Sequence, residues 1–432
     1  MTGCTSMRSR IRWSPPLPTS ATTYRILDTE INAMHERERA RSMGPEQLIA
    51  LIEASGLRGR GGGGFPLARK LATARAAAAG GSAYVVANAY DADPGSPLSR
   101  TILLGKPELV IEGLAIAASA VGATSGYIYL HPEAAAARTA VERALEAARD
   151  GLGDLAVEIA QGPGGFMGGE ETALLAVLES RRAMARQRPP YPAIQGLLLR
   201  PTVISSAETL AALPLIVRDG ADAFRRVGTA ATPGTKLVSV TGAVASPGVY
   251  EVAFGVTLAE ILERAGGTSG KSMKGLHVGG PTGGILNATR TGVAFDYETL
   301  KAAGTHLGSA QIRVIGPDVC IVNEAAKLFD YLAKETCGIC VPCRVGTKRV
   351  EGILEGIYSD LGRADDLPWL GELADHLDRF SLCGFGITSA SILRTTMSEF
   401  ADDYGAHITD HRCPTGTCAP ARSRRYETMA QP

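Results

Sequence analysis

The sequence predicts an α/β domain, then a small β/α module, then a helical domain that holds a metal centre through cysteines. Three observations lead to this prediction. The 432 residues correspond to about three domains at roughly 150 residues each. Strand-like and helical segments alternate in the first half of the chain, whereas the pattern beyond residue 325 is almost wholly helical. Seven of the eight cysteines lie at or beyond Cys320.

A flexible leader is predicted for residues 1–45, and the α/β domain for residues 46–228. The start of the leader is rich in Ser, Pro, Thr and Arg and lacks the apolar segment of a secretory signal. Runs of β-branched residues bounded by turn formers indicate the strands of the domain, and apolar residues at helical spacing indicate its helices. The predicted elements are a helix (46–55), a glycine-rich loop (59–66), a helix carrying Arg69 and Lys70, strands 82–88 and 126–130, and helices 107–122 and 133–151.

The β/α module is predicted over residues 229–318. A short linker, 229–233, precedes it, and a glycine-rich segment, 279–284, lies near its end. Its predicted elements are strands 236–241 and 249–252 and a helix over 258–264. The helical metal-binding domain follows over residues 319–406, and a cysteine-containing tail over 407–432.

Charge and hydropathy exclude two classes of protein. Lys+Arg and Asp+Glu are both 44, and this zero net charge argues against non-specific nucleic-acid binding. No apolar stretch approaches the 18 or so residues that a spanning helix needs. The lack of an export signal predicts a cytoplasmic protein. In a reducing compartment, clustered cysteines are more often metal or cluster ligands than disulfides.

Four cysteines have the spacing of an iron–sulfur site. Cys337, Cys340 and Cys343 form a C-x2-C-x2-C run, and Cys383 follows after 39 intervening residues. Three closely spaced thiolates and a remote fourth can hold a [4Fe–4S] cluster. A structural zinc site usually has two paired C-x2-C halves, so zinc is the weaker alternative, and four unrelated buried thiols are the third.

A second set of candidate ligands lies around the tail. Cys320, His407, Cys413 and Cys418 make up a Cys3His combination, which is common in structural zinc sites. The alternative is a tail with free thiols. His411 competes with His407 for the histidine position, and Cys4 in the leader has no evident partner.

Three glycine- or acid-rich segments are candidates for a nucleotide site. Glycines from Gly59 to Gly64 precede a helix, so backbone N–H groups there can approach a phosphate, and Arg60 and Lys70 can add cationic contacts. Asn88–Gly95 follows a strand, where α/β folds bind ligands. Residues 164–172 combine glycines with carboxylates. For each segment, close packing or helix capping is an equal alternative.

The order of these motifs resembles a known family. The segments GLRGRGGGGFP, NAYDADPG, GGEETALL, ETCGICVPCRVG and SLCGFG occur in this order along the chain. Together they resemble the NADH-binding flavoprotein subunit of respiratory NADH:quinone oxidoreductase, a family that includes diaphorase subunits of NAD-linked hydrogenases and formate dehydrogenases. The resemblance covers about residues 46–418. The ending, with Cys320 and CPTGTC, is more similar to the hydrogenase-associated and electron-bifurcating members.

The resemblance implies a fold and a function. The fold is an α/β FMN-binding domain, a ubiquitin-like SLBB module and a helical bundle carrying a [4Fe–4S] cluster. The function is electron transfer from NAD(P)H through FMN and the cluster to a partner, either a ferredoxin-like or thioredoxin-like [2Fe–2S] protein or a quinone-linked complex. Such a subunit is peripheral to a membrane complex and has no span of its own. Two alternatives are a cluster-bearing scaffold or electron conduit without NADH dehydrogenase activity, and an SLBB module that binds a glycan or a cobalamin-like ligand.

The resemblance also implies roles for individual residues. Glu170 and Glu171 would border the flavin and the nicotinamide and are the candidate catalytic residues, Phe65, Arg188 and Tyr191 would face NADH, and the four cysteines from Cys337 to Cys383 would ligate the cluster. The implied cofactor-binding set is Gly59, Arg60, Gly61, Gly62, Gly64, Phe65, Lys70, Asn88, Asp91, Asp93, Gly169, Glu170, Glu171, Ser205 and Ser206.

Six positions depart from the usual family pattern. Tyr90 stands where the family has Asp, Phe166 where it has Tyr, and Ser205 and Ser206 where it has a pair of Asn residues. Asp91 and Asp93 are also shorter than the glutamates that the family has there. These positions belong to the polar surroundings expected for flavin and dinucleotide. The departures favour the scaffold alternative, whereas the ordered set of motifs favours electron transfer.

Overall fold

The computed structural model describes residues 26–29, 34–268, 270 and 272–418. The first domain contains a four-stranded parallel sheet with helices on its faces, as predicted. Its elements are α1 (His35–Met43), α2 (Pro45–Ser55), α3 (Leu67–Ala78), β1 (Tyr84–Ala89), α4 (Leu98–Gly105), α5 (Pro107–Val121), β2 (Ser125–Leu130), α6 (Ala135–Leu152), β3 (Ala156–Gln161), α7 (Glu171–Leu178), β4 (Thr202–Ser206), α8 (Ala207–Asp219) and α9 (Ala221–Arg225).

The strand order of this sheet, β3-β2-β1-β4, determines where the candidate site lies. All three strand pairs are parallel, with Val86 of β1 between Tyr127 of β2 and Ile204 of β4. The carboxyl ends of the strands therefore lie along one edge of the sheet. Asn88, near the end of β1, and Ser206, at the end of β4, lie side by side at this edge. Helix α5 is apolar on nearly every face because it packs between the sheet and α8.

The leader prediction is corrected at its C-terminal end. Helix α1 lies within residues 1–45, and the buried carboxylate of Glu112 accepts hydrogen bonds from the backbone N–H groups of Glu36 (2.7 Å) and Arg37 (3.1 Å). Likewise, Glu251 of the second domain accepts from the N–H groups of Ile26 and Leu27. These contacts hold residues 26–27 and α1 on the body of the protein. The rest of the leader, including Cys4, lies outside the described residues.

The second domain is a mixed five-stranded sheet in the order β6-β5-β9-β7-β8. Strand β5 pairs with β9 in parallel and with β6 antiparallel, and Thr257 and Glu260 form a capping box at the start of α10. A buried ion pair between Lys236 and Glu208 joins this domain to the first. Its elements are β5 (Thr235–Gly242), β6 (Gly248–Ala253), α10 (Leu258–Arg264), β7 (Gly275–Val278), β8 (Gly284–Asn287), α11 (Tyr297–Ala302) and β9 (Gln311–Ile315).

The C-terminal domain is helical, as predicted, and has its own apolar core. Phe329, Val350, Leu377 and Leu393 are among its fully buried residues. Among the described residues, no helix is both long enough and apolar enough to cross a membrane. The helices of the domain are α12 (Ile321–Glu335), α13 (Val341–Gly356), α14 (Asp366–Phe380), α15 (Gly384–Glu399) and α16 (Ala401–Ile408).

Candidate functional site

The glycine-rich loop is shaped by close packing and leaves several backbone donors available. A bridge between Arg58 and Pro66 closes it, and the N–H of Gly59 donates to the carbonyl of Phe65 at 2.9 Å. A Cβ at Gly62, whose φ is +102°, would lie 2.6 Å from the carbonyl oxygen of Gly308. Within the described part of the chain, the N–H groups of residues 61–64 donate no hydrogen bond. Such donors fit the phosphate of FMN.

Lys70 lies at the candidate site, whereas the side chain of Arg60 does not. Arg60 is buried between the first two domains, where it donates to the carbonyl of Pro233 (2.5 Å) and lies over the ring of Phe254. Burial lowers the pKa of this guanidinium. The predicted contact between the Arg60 side chain and a cofactor therefore has no support from the geometry. The Nζ of Lys70 instead donates to Glu171 (2.9 Å) and to the carbonyl of Ile204 (2.7 Å).

The two predicted catalytic carboxylates belong to one ion cluster. Glu171 pairs with Lys70 and, at 3.4 Å, with Arg188, which also contacts Glu170 at 3.3 Å. The other oxygen of Glu170 accepts from the N–H groups of Thr172 and Ala173 at the start of α7, so helix capping holds this side chain in place. The structure thus brings Lys70, which follows the glycine-rich loop, together with the carboxylates of Glu170 and Glu171 and with Arg188.

The acidic side chains of the loop after β1 form hydrogen bonds within the protein. Asn88 donates from Nδ2 to the carbonyl of Gly169 at 2.9 Å, which joins two predicted motifs. Asp91 accepts from the N–H groups of Ser99 and Arg100, both at 2.8 Å, and burial raises its pKa. Asp93 accepts from the N–H of Gly95 and from the hydroxyl of Ser309 in the second domain. Both carboxylates therefore shape the loop, and the geometry gives no support to a direct cofactor contact by either.

Tyr90 fills the carboxyl edge of the sheet. The ring of Tyr90 is 1% exposed and stacks on Tyr129, with a centroid distance of 5.2 Å and an interplanar angle of 17°. A Cβ at Gly162 would lie 2.3 Å from this ring, and one at Gly168 would lie 2.3 Å from its hydroxyl oxygen. The sequence identified Tyr90 as a departure from the family pattern. Only the structure shows that its ring packs against Gly162 and Gly168.

The two serines that replace the usual asparagines lie at the end of β4. Ser205 is buried, and the hydroxyl of Ser206 accepts from the N–H of Thr209 to cap α8. A Cβ at Gly61 would lie 3.5 Å from the Cβ of Ser206, so this serine lies directly beneath the glycine-rich loop.

Two residues predicted to face NADH are exposed on the surface of the first domain. Phe65 is 50% exposed and Tyr191 is 57% exposed, and Arg69 lies over the Phe65 ring at 5.7 Å. Aromatic rings this exposed contribute little to the core, and they remain available for stacking on a planar ligand. Phe166 instead packs against Phe385 in the C-terminal domain, with centroids 5.4 Å apart.

Three of the four cysteines of the predicted cluster lie at helix starts, and Cys337 follows the end of α12. Cys340 precedes α13, Cys343 lies in its first turn and Cys383 precedes α15. Burial raises the pKa of Cys343 to about 12, and the neighbouring Cys340, Cys383 and Cys337 contribute to this shift, so the four thiols share one region. Helix N-termini favour an anionic group such as a thiolate-ligated cluster. The four donors fit a [4Fe–4S] cluster.

The cluster region adjoins the ion cluster. Burial raises the pKa of Cys383 to about 11, and the carboxylate of Glu170 adds to this rise. Glu170 is also the residue that contacts Arg188. In addition, the N–H of Phe166 donates to Glu335 of α12 at 2.6 Å. The first domain and the C-terminal domain therefore meet at the segment around Phe166, which leads to Glu170.

The second predicted metal set also comes together. The candidate ligand atoms of Cys320, His407, Cys413 and Cys418 all lie within 4.8 Å of one another. Sγ of Cys320 lies 3.2 Å from Nε2 of His407, and hydrogen bonds with Cys418 and His407 lower the pKa of the Cys320 thiol. His411 is not part of this set, because it pairs with Asp360 at 2.8 Å.

Comparisons with known proteins agree with this architecture. The family model described as the Nuo51 FMN-binding domain matches residues 52–215, the SLBB domain matches 237–286, and the NADH-ubiquinone oxidoreductase-F iron-sulfur binding region matches 323–407.

Similar proteins extend the match to most of the chain. The HndC subunit of the NADP-reducing hydrogenase of Solidesulfovibrio fructosivorans is 38% identical, over 87% of this chain and 79% of its own length. An F-type subunit of the NADH-quinone oxidoreductase of Rhizobium meliloti is 37% identical, over 86% of this chain and 90% of its own. A chain of the NAD+-reducing [NiFe]-hydrogenase, in the crystal structure of its H2-reduced state, superposes with a TM-score of 0.83 at 31% identity. That superposition covers 94% of this chain and 71% of the other.

Proposed function

Because the chain belongs to the family that unites the F-type subunits of NADH-quinone oxidoreductase with hydrogenase diaphorase subunits, we propose that it takes electrons from NAD(P)H and delivers them to a partner redox protein. The observation that carries this proposal is the contact between the two candidate sites. The ring of Phe166, four residues before Glu170, packs against Phe385, two residues after Cys383, with centroids 5.4 Å apart. The N–H of Phe166 also donates to Glu335 at 2.6 Å. Electron transfer between two centres requires that they lie close together, and this contact joins the segments that would hold them.

Individual residues would bind the cofactors through hydrogen bonds, charge or stacking. The free N–H groups of residues 61–64 and the ammonium of Lys70 would hold the FMN phosphate, and Asn88 would position the adjoining loop. Glu171 and Arg188 would contact the nicotinamide dinucleotide. Bound FMN would supply the conversion between a two-electron hydride and single electrons, and a [4Fe–4S] cluster would supply one-electron transfer. The exposed rings of Phe65 and Tyr191 would stack on the dinucleotide.

The electron exit would lie where the cluster region reaches the surface. Ile339, Val341 and Val345 are 43%, 58% and 54% exposed, and they surround Cys340 and Cys343 in the chain. The exposed Arg344 adds positive charge. An apolar patch with a cationic neighbour suits a [2Fe–2S] protein of the ferredoxin-like or thioredoxin-like kind. We place this assembly in the cytoplasm, peripheral to a membrane complex.

The experiment for this function is an absorbance spectrum of the full-length protein before and after NADH. Flavin bands that bleach on addition of NADH, together with NADH:ferricyanide turnover, are the expected result. A holoprotein with an intact cluster and no flavin would refute the proposal and favour the scaffold alternative. One observation favours that alternative: Lys70, Asn88 and Ser206 already have partners within the protein.

We also propose that Cys320, His407, Cys413 and Cys418 bind zinc. Four donors within 4.8 Å, three thiols and one imidazole, match the composition of a closed structural site. The site would join α12 to α16 and to the segment that follows, because Cys320 precedes α12 and His407 lies in α16. Metal analysis of the purified protein should find one zinc per chain in addition to iron, and its absence would refute this assignment.

A further inference from the structure

The second domain contacts the glycine-rich loop, residues 59–66, through one aromatic side chain. The hydroxyl of Tyr297, the first residue of α11, donates to the carbonyl of Gly59 at 2.6 Å. A Cβ at Gly64 would lie 2.9 Å from a ring carbon of the same tyrosine. Tyr297 therefore lies across the loop, because it contacts one glycine near the beginning of the loop and another near its end.

Arg58, just before the loop, connects the tyrosine ring to the backbone of the loop. Its guanidinium lies over the Tyr297 ring, 4.4 Å from the centroid, and its Nε donates to the carbonyl of Gly64 at 2.8 Å. One terminal nitrogen also donates to Glu298 of α11 (2.8 Å) and to the hydroxyl of Thr232 (3.0 Å). A cation over an aromatic face and a charged donor on a carbonyl are both favourable contacts. Together they hold the guanidinium in one orientation.

The peptide unit after Gly59 is held at both ends. In a trans peptide unit the C=O and N–H groups point in opposite directions. The carbonyl of Gly59 points to Tyr297, and on the opposite side the N–H of Arg60 donates to Oγ1 of Thr209 in α8 at 2.7 Å. Burial raises the pKa of Tyr297 to about 12, so its hydroxyl keeps the proton and remains a donor at neutral pH. The first turn of the loop is thus fixed between the two domains.

The peptide unit after Gly64 is held at its carbonyl only. Because this carbonyl accepts from Arg58, the N–H of Phe65 points away from Arg58 in the trans peptide unit. Among the residues that the structure describes, the N–H of Phe65 has no acceptor, as is also the case for residues 61–64. The contact with Arg58 therefore leaves one more oriented donor beside the glycines, in a loop that could otherwise adopt many conformations.

We propose that Tyr297 and Arg58 are positioning residues for FMN, which keep the glycine-rich loop in the conformation that presents the N–H groups of residues 61–65 to the FMN phosphate. This inference rests on the proposed function, because it requires FMN to bind at this loop. Donors that are already oriented need little reordering when an anion binds, so a rigid loop raises affinity. Tyr297 lies outside both the FMN-binding match (52–215) and the SLBB match (237–286). The second domain would thus strengthen cofactor binding without contacting the cofactor.

The test is titration of the full-length protein, depleted of flavin and with its cluster retained. FMN is compared with riboflavin, which lacks the phosphate, and quenching of flavin fluorescence gives the two dissociation constants. Tyr297→Phe removes the hydroxyl and leaves the ring beneath Arg58. We expect this variant to bind FMN roughly three- to tenfold more weakly and riboflavin as well as the wild type does.

Tyr250→Phe is the matched control. Tyr250 is a buried tyrosine of β6 in the same domain, and its hydroxyl also donates to a backbone carbonyl, that of Ser246. This variant should leave both dissociation constants unchanged. Arg58→Met tests the second contact, because it removes the donor to Gly64, and it should weaken FMN binding roughly tenfold or more. Thermal unfolding and the cluster absorbance of each variant verify that the protein remains folded.

Two results would overturn the proposal even though the wild type binds FMN. One is an unchanged affinity of the Tyr297→Phe variant for FMN. The other is an equal weakening of FMN and riboflavin binding, which would mean that Tyr297 only supports the fold and does not act through the phosphate. Failure of the wild type to bind FMN would refute the proposed function itself, and the positioning role with it.

Discussion

Replacement of Gly168 by alanine should destabilise the first domain through the ring of Tyr90. The new Cβ would lie 2.3 Å from the tyrosine hydroxyl oxygen and 2.5 Å from the ring carbon that bears it. The ring has little room to retreat, because it stacks on Tyr129 and because a Cβ at Gly162 would already lie 2.3 Å from it. Overpacking of this kind costs roughly 1–3 kcal/mol. At about 2–4 °C for each kcal/mol in a domain of this size, the unfolding temperature should fall by several degrees.

A double-mutant cycle measures whether Tyr90 is the cause. The effect of Gly168→Ala on the unfolding temperature is measured in the wild-type and in the Tyr90→Ala background. Gly168→Ala should destabilise the protein much less when the Tyr90 ring is absent. Gly352→Ala is the control, because Gly352 lies in α13 with no atom near its missing Cβ. It should be neutral or stabilising by up to about 1 kcal/mol. Equal costs of Gly168→Ala in both backgrounds would refute the packing argument, as would the absence of any cost.

Three further predictions concern the metal sites and pH. Cys383→Ser should abolish the low-temperature EPR signal of the reduced cluster, and an unchanged signal would mean that another thiol completes the site. Cys320→Ser should lower the zinc content without changing the iron content, as measured by metal analysis; equal zinc in variant and wild type would contradict the assignment. Burial lowers the pKa of His277 to about 3, so the folded state favours neutral imidazole, and this stability is present above pH 6.5 and lost as the pH falls toward 3. At pH 5 the loss is about 2 kcal/mol, and His277→Gln should flatten the fall in unfolding temperature between pH 7 and pH 5.

The architecture could be predicted from the sequence because its signals are local. Strands β1 and β2 and helices α2, α5 and α10 follow directly from hydrophobic spacing and from glycine or capping residues at their ends. Helix α1 was missed because its sequence, HERERARSM, has almost no apolar stripe. Its position depends instead on Glu112, which lies far away in the chain and accepts its backbone N–H groups.

The candidate site was predictable in its membership but not in its orientations. Lys70, Glu170, Glu171 and Arg188 do come together, as the motifs implied. The sequence could not show that Arg60 points away from the candidate site, because its partners belong to the linker and to the second domain. The direction of a side chain depends on which neighbour satisfies its charge, and that neighbour is known only after the chain has folded.

By itself, the sequence determined the order of the three domains and predicted the ligands of the cluster, because periodicity and cysteine spacing are properties of the chain that need no knowledge of distant neighbours. Only the tertiary structure decided that Cys320 meets His407, that Asp91 and Asp93 shape a loop, and that Leu198 and Leu199 face solvent. The meeting of Cys320 with His407 and of Asp93 with Ser309 depends on contacts between segments far apart in sequence. Such contacts arise from packing and hydrogen bonding across the whole fold, which no local pattern encodes.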